Sequence, residues 1–108
     1  MMKVNYLFSI KSLTPYTDLF LVAAVYHNMG NLESASGRLG YAMEYFTKVV
    51  DIRTAVGDKS ASQLALVYLC IGRVHHLRLE FDQASNWYAK SEALFNRTAD
   101  SNQHFMAQ

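Results

Sequence analysis

Few side chains of this 108-residue sequence have types that could do chemistry, and their spacing does not favour catalysis or metal binding. His75 and His76 are adjacent, and consecutive residues of a helix point about 100° apart, so two such imidazoles do not readily bind one ion. Cys70 is the one cysteine, and it has neither an internal disulfide partner nor a neighbouring base in the sequence. Residues 96–98 match the N-glycosylation sequon, which has a meaning only in a secreted protein.

Whole classes of function are disfavoured by what the sequence lacks. It contains no glycine-rich phosphate loop, no paired catalytic carboxylates and no nucleophile elbow. Its formal charge of +1, with acids and bases interspersed, gives no basic patch for a nucleic-acid backbone. The longest apolar run, over residues 19–26, is too short to span a bilayer, and residues 1–10 lack a signal-peptide pattern. We therefore expect a non-catalytic cytoplasmic protein without cofactor or metal, and without a nucleic-acid or membrane partner.

The elements that must position any site are predicted to be long helices in one small domain. Half of the residues are apolar, and only five glycines and one proline interrupt them. Thr14 and Pro15 are typical of a helix start, and Ser60 with Gln63 has the spacing of a capping box. Residues 1–13 are predicted as a tail or partial helix. Helices are predicted from Pro15, near Tyr41, near Ala61 and from Phe81, followed by a loop over 96–100 and a last short helix over 101–108.

The apolar residues of these helices recur at helical spacing and predict the buried faces. In the second helix, Arg53 is placed with the other charged residues on the opposite, polar side. The first-helix face is Leu19, Val22, Ala23, Tyr26, Met29 and Gly30, and the fourth-helix face is Phe81, Ala84, Trp87, Tyr88, Ser91, Leu94 and Phe95.

A doubled motif shows how the helices are related. Residues 23–30 read Ala-Ala-Val-Tyr-His-Asn-Met-Gly, and residues 65–72, 42 positions later, read Ala-Leu-Val-Tyr-Leu-Cys-Ile-Gly. The same offset pairs Ala42 with Ala84 and Lys48 with Lys90, so the match continues into the following helix. A helix–turn–helix unit repeated at such a period predicts an α-solenoid.

Small residues in the motif indicate close helix packing. A glycine inside a helix costs about 1 kcal/mol relative to alanine, so Gly30 and Gly72 predict that a partner backbone comes close. The alanine twelve residues later would lie on that partner, and the aromatic residue four further would wedge toward the next helix. The structural residues of the motif are Ala23, Tyr26, Gly30, Ala42 and Phe46 in the first copy, and Ala65, Tyr68, Gly72, Ala84 and Tyr88 in the second.

This pattern of aromatic, apolar-glycine, alanine and aromatic resembles the tetratricopeptide repeat (TPR) family. Gly37 matches the turn glycine of the family, whereas the second copy has Leu79 and the usual proline after the second helix is missing. The 42-residue spacing exceeds the usual 34 and is similar to the repeats of kinesin light chains. The resemblance implies an all-α solenoid of about two and a half antiparallel hairpins over residues 14–108. Repeat one covers about 16–57, repeat two about 60–98, and a third begins over 101–108.

The resemblance also implies a protein- or peptide-binding scaffold whose concave groove is lined by the first helix of each pair. Asn28 and Asn31 lie three residues apart on one face, so their amides would hold an extended peptide backbone, unless both are merely solvated surface. Arg73 would pair with a carboxylate. His27 and Cys70 stand where carboxylate-clamp members of the family have other residues, so that clamp is not expected. The groove candidates are His27, Asn28, Asn31, Ser34, Leu69, Arg73 and His76, with Leu66 and Cys70 beside them.

Two alternative functions remain open. In the first, the chain is a fragment of a larger regulatory TPR array and serves as a sensing or packing region of a signalling protein. In the second, it is a self-associating helical bundle. Solenoids usually need about three repeats, and residues 101–108 present Phe105 and Met106 without a partner helix. We therefore expect the open C-terminal end to be covered by a second copy, by a longer parent chain, or by residues 1–13 of a neighbouring molecule.

Overall fold

The computed structural model describes residues 16–57 and 61–107, with side chains over 18–57 and 61–98. Within these ranges there is no strand, and the prediction of an all-α fold is confirmed. The four described helices are α1 (Tyr16–Ala35), α2 (Leu39–Val56), α3 (Ala61–Leu77) and α4 (Phe81–Ala107).

The helices stack in chain order into two hairpins. Helix α1 packs against α2, α3 packs against α4, and α2 joins the two hairpins by packing against α3. The result is an elongated molecule of 46 × 36 × 23 Å. The central core is formed by Leu19, Ala23, Ala42, Phe46, Val49, Ile52, Val67, Ile71 and Val74.

The two hairpin turns have the same backbone geometry. Gly37 has φ 81° and Leu79 has φ 63°, both in the left-handed region that helix C-terminal turns use. In the first turn the N–H of Arg38 donates to the carbonyl of Glu33, and in the second the N–H of Glu80 donates to that of His75, each at 2.9 Å. The same two residue pairs are also bonded through their side chains, at 2.8 Å. In the first turn the acid, Glu33, precedes the base, Arg38, whereas in the second the base, His75, precedes the acid, Glu80.

Close packing at the repeat glycines is present: a ring lies nearest to each, and at Gly72 the predicted partner backbone, the carbonyl oxygen of Ala84, is also within 3.4 Å of an added Cβ. A Cβ added at Gly30 would lie 2.5 Å from Cε1 of Phe46, and one at Gly72 would lie 2.7 Å from Cδ1 of Tyr88. The prediction that these aromatics wedge toward the next helix is therefore incomplete, because each ring also fills the space beside the glycine of its own hairpin.

Two local predictions are wrong. The loop expected over residues 96–100 is helical, because α4 continues to Ala107 through a stretch that holds neither glycine nor proline. Arg53, predicted on the polar side of α2, is only 5 % exposed. It lies four residues after Val49 and therefore falls on the same buried stripe.

Four residues predicted on buried faces by the helical spacing are also exposed. Met29 is 36 % exposed, Tyr41 of the second-helix stripe 58 %, Phe81 57 % and Phe95 36 %. Met29, Phe81 and Phe95 belong to α1 and α4, the outer helices of the described stack. The predictions for residues 1–15, for Ser60 and for Gln108 lie outside the described residues, and the third repeat stays a prediction.

Candidate groove between the first and third helices

A cleft opens between α1 and α3 on one side of the molecule. Its volume is about 170 Å³, which is room for part of a peptide side chain rather than a whole small ligand. Its lining comes from three helices: Ala24, His27 and Asn28 from α1, Arg53 from α2, and Gln63 and Leu66 from α3.

His27 lies at the centre of this arrangement as a neutral imidazole. Its ring meets the Phe46 ring edge-on, with centroids 5.8 Å apart. Burial lowers the pKa of His27 below its ordinary value, and the charges of Arg53 and Arg73 lower it further. None of the described residues that line the cleft carries a carboxylate.

Cys70 joins the two first helices of the hairpins. Its Sγ lies 3.6 Å from Nε2 of His27 and 3.8 Å from Oδ1 of Asn31. Burial raises the pKa of the Cys70 thiol, and the opposing effect of Arg73 is smaller. The cysteine thus has a histidine beside it but is held as a thiol, which is the unreactive form. This trio connects α1 to α3.

The remaining polar candidates differ in exposure. Asn28 and Arg73 are exposed to solvent, whereas Asn31 and Ser34 are half-buried. Leu66 and Leu69 are 38 % and 44 % exposed on α3, an unusual position for leucine unless a partner covers them. Of the predicted groove residues, His27, Asn28 and Leu66 line the cleft.

A model of the tetratricopeptide repeat family matches residues 21–97, which cover both hairpins and the whole groove. The chain belongs to the tetratricopeptide repeat family. Neither a curated protein nor a solved structure matches it. TPR proteins are typically non-catalytic and mediate protein–protein contacts.

Two kinds of feature are absent from the described part of the chain. No group of three histidine, cysteine or acidic residues is suitably placed for a metal ion within it. None of its helices is long and apolar enough to cross a bilayer.

His76 has a different environment from the other candidates. Its ring contacts two aromatic rings of α4, Phe81 at 5.5 Å and Tyr88 at 6.4 Å between centroids. The adjacent His75 bonds Glu80 through Nδ1, at 2.8 Å. The pair thus lies at the contact between α3 and α4, while His27, Asn28, Asn31, Leu66 and Cys70 come together at the TPR groove.

Sequence reasoning missed two residues of the groove. Arg53 was assigned to the surface although its spacing from Val49 is that of the buried stripe, so periodicity could have found it. Gln63 was assigned only to a helix cap, and it lies one turn before Leu66 on the groove side of α3. No signal in the sequence pairs Cys70 with His27, because the two residues are 43 positions apart.

A second, larger cleft lies between α3 and α4. Its volume is about 500 Å³, and Tyr68 and Lys90 are among its lining residues. The ammonium of Lys90 lies 4.3 Å from the centre of the Trp87 ring, and in the first repeat Lys48 lies 5.7 Å from the Tyr26 ring. The two lysines are equivalent in the repeat, but the rings that they cover are not, because Trp87 corresponds to Tyr45 and Tyr26 to Tyr68.

Proposed function

We propose that this TPR protein is a scaffold that binds an extended segment of another protein in the groove between α1 and α3. The observation that carries the proposal is a cleft between the first helices of the two hairpins whose described lining has amide and apolar side chains but no carboxylate, with the exposed cation of Arg73 on the same helix as part of that lining. Such a surface favours a partner with a negative charge that Arg73 can pair with. The 42-residue period, similar to that of kinesin light chains, is in keeping with a scaffold of this kind.

The chemistry of the groove describes the segment that would fit. Arg73 is exposed and presents a planar guanidinium, which pairs with a carboxylate through two parallel hydrogen bonds. Asn28 and Gln63 have amides that donate to and accept from a peptide backbone whatever its sequence. Leu66 and Leu69 would cover an apolar side chain of the partner. The expected ligand is an extended peptide with an acidic residue next to an apolar one.

A random peptide display library, selected on the intact chain, tests the proposal. We expect the selected peptides to be rich in Asp or Glu beside an apolar residue. Against these peptides, Arg73→Glu should weaken binding by about tenfold or more, because a charge-assisted hydrogen bond is replaced by repulsion. The double variant Asn28→Ala/Asn31→Ala should also lose affinity, while far-UV circular dichroism shows unchanged helicity. Fluorescence anisotropy of labelled peptides measures the dissociation constants.

Two matched variants serve as controls. Arg78→Glu changes the same charge in the exposed α3–α4 turn, and Asn96→Ala removes the same amide from an exposed position of α4. Both should bind the selected peptides like the unaltered chain. Binding that is equally insensitive to Arg73→Glu and to the double asparagine variant would place the peptide elsewhere and overturn the proposal.

A further inference from the structure

Helix α1 has an apolar face that no described helix covers. Val25 is 49 % exposed, Met29 36 % and Leu32 66 %, and their spacing of i, i+4 and i+7 places them on one side. Leu21, one turn earlier, is 64 % exposed. Large apolar residues rarely form such a continuous exposed stripe unless something docks on it.

The second repeat shows what this face does. The residues of α3 that lie 42 positions later are Val67, Ile71 and Val74, with exposures of 0 %, 2 % and 0 %. They are buried because α2, the second helix of the preceding hairpin, packs against α3. The equivalent face of α1 is thus built to receive a segment that resembles α2.

Such a segment is present in this chain immediately before α1. Read with the same 42-residue offset, residues 1–14 correspond to residues 43–56, the last fourteen residues of α2. Five of the apolar positions of α2 that are buried or packed on the core are matched by apolar residues, two of them identities, whereas Val56 is matched by the polar Thr14. The matched residues are Met1 with Met43, Val4 with Phe46, Leu7 with Val49, Phe8 with Val50 and Ile10 with Ile52.

We propose that residues 1–14 cover the apolar face of α1 in the way that α2 covers α3. The apolar residues Met1, Val4 and Phe8 have the i, i+3 and i+7 spacing of one helix face, as Met43, Phe46 and Val50 do. Lys11 then takes the place of Arg53, so the match includes the single cation of that stripe. The exposed polar position of Thr47 in α2 corresponds to Asn5.

The connection is short enough to hold the segment in this place. Pro15 directly precedes the first residue of α1, and a proline restricts the residue before it to extended backbone, so a helix in this segment would end by Leu13 and leave Thr14 and Pro15 as the connection. Connections between packed helices are commonly roughly two to eight residues long, and turns of three residues, 36–38 and 78–80, join the helices of the two hairpins. At a rise of 1.5 Å per residue, a helix of thirteen residues spans about 20 Å, and the stripe from Leu21 to Leu32 needs about 17 Å.

Paired substitutions in the full chain test this docking. Phe8→Asp places a charge against α1 and should lower the urea midpoint of unfolding by roughly 1 M, the effect of exposing one large apolar side chain. Asn5→Asp adds the same charge at the position that matches exposed Thr47 and should leave the midpoint unchanged. Equal midpoints for Phe8→Asp and the unaltered chain would overturn the proposal.

A direct distance measurement in the unaltered chain is independent of whether a variant folds. Nuclear Overhauser contacts are expected between the Phe8 ring and the methyl groups of Val25 and Leu32. A mixture of labelled and unlabelled chains decides their origin. Contacts within one molecule support the proposal, and contacts only between molecules, or none, overturn it in favour of a second copy or another protein on α1. The outcome does not depend on the function proposed for the groove.

Discussion

A ring lies where residue 30 would have its side chain, and this contact explains the glycine of the repeat. The Phe46 side chain is fully buried and is also held edge-on by His27, so it has little freedom to withdraw. Tyr88 takes the same position against Gly72 in the second hairpin. The repeat motif thus pairs a glycine with an aromatic residue, because the glycine lacks a side chain and leaves space for the ring.

We expect Gly30→Ala to destabilise the protein. The added Cβ would lie 2.5 Å from the Phe46 ring, and overpacking of this kind costs roughly 1–3 kcal/mol, more than the gain of about 1 kcal/mol in helix propensity. Gly40→Ala is the control, because the nearest atom, on Arg78, would be 4.0 Å away. Urea unfolding followed by circular dichroism measures both variants. Equal stability of the two would show that the ring does not require the glycine.

At the scale of the elements, the two hairpins are near copies whose turns differ in one residue. Gly37 adopts its left-handed conformation without strain, whereas Leu79 adopts almost the same conformation with a side chain that disfavours it. Leu79 is 72 % exposed and therefore buries little apolar surface that could offset this strain. The hydrogen bonds of the turn, and not the residue type, hold the second hairpin in the shape of the first.

Replacing Leu79 with glycine should therefore stabilise the second hairpin. We expect a gain of about 0.5–1 kcal/mol, which corresponds to a rise of a few degrees in the melting temperature. Leu77→Gly, at the right-handed end of α3, removes the same side chain and should lower the melting temperature instead. Differential scanning calorimetry distinguishes the two. A lower melting temperature for Leu79→Gly would mean that the leucine side chain stabilises the turn.

At the scale of the whole molecule, the two ends of the stack are unequal. Helix α1 presents an aliphatic face, whose proposed cover is residues 1–14 of the same chain. Helix α4 presents Phe81 and Phe95, 57 % and 36 % exposed, whereas Tyr88 packs against Gly72 of its own hairpin. Within the described residues no helix follows α4 to cover these rings.

We expect two copies to associate through this aromatic face of α4. Because residues 1–14 of each chain would already cover α1, the two copies would contact each other through the same face of α4 and be related by a two-fold axis. Such an interface uses that face on both copies, so assembly would stop at a dimer. Light scattering after size exclusion, over a range of concentrations, should show the mass rising toward twice that of the chain. Phe81→Glu should prevent the rise, and Ala89→Glu, at an exposed position of the same helix, should not.

Other masses would contradict this expectation in different ways. A monomer at every concentration would show that two hairpins suffice and would favour the groove as the one binding surface. Masses beyond a dimer would indicate head-to-tail stacking of α4 on an uncovered α1, which would also count against the docking of residues 1–14.

Much of the fold could be predicted because its determinants are local and periodic. The helices follow from apolar spacing, and the hairpins follow from a motif that recurs 42 residues later. The polar composition of residues 96–100 favours a loop, but these residues include neither glycine nor proline, and α4 continues through them. Polar composition alone does not end a helix that continues to gain backbone hydrogen bonds.

The amino-acid sequence by itself determined that this chain is a TPR protein, because the repeat motif consists of residues whose roles depend only on the helical period and on side-chain size. It also located Asn28, Asn31 and Arg73 on the first helices of the two hairpins. Only the tertiary structure decided which of these side chains meet. The approach of Cys70 to His27 and the position of Arg53 at the groove depend on how three helices cross. Such contacts join residues far apart in the chain, and no period encodes them.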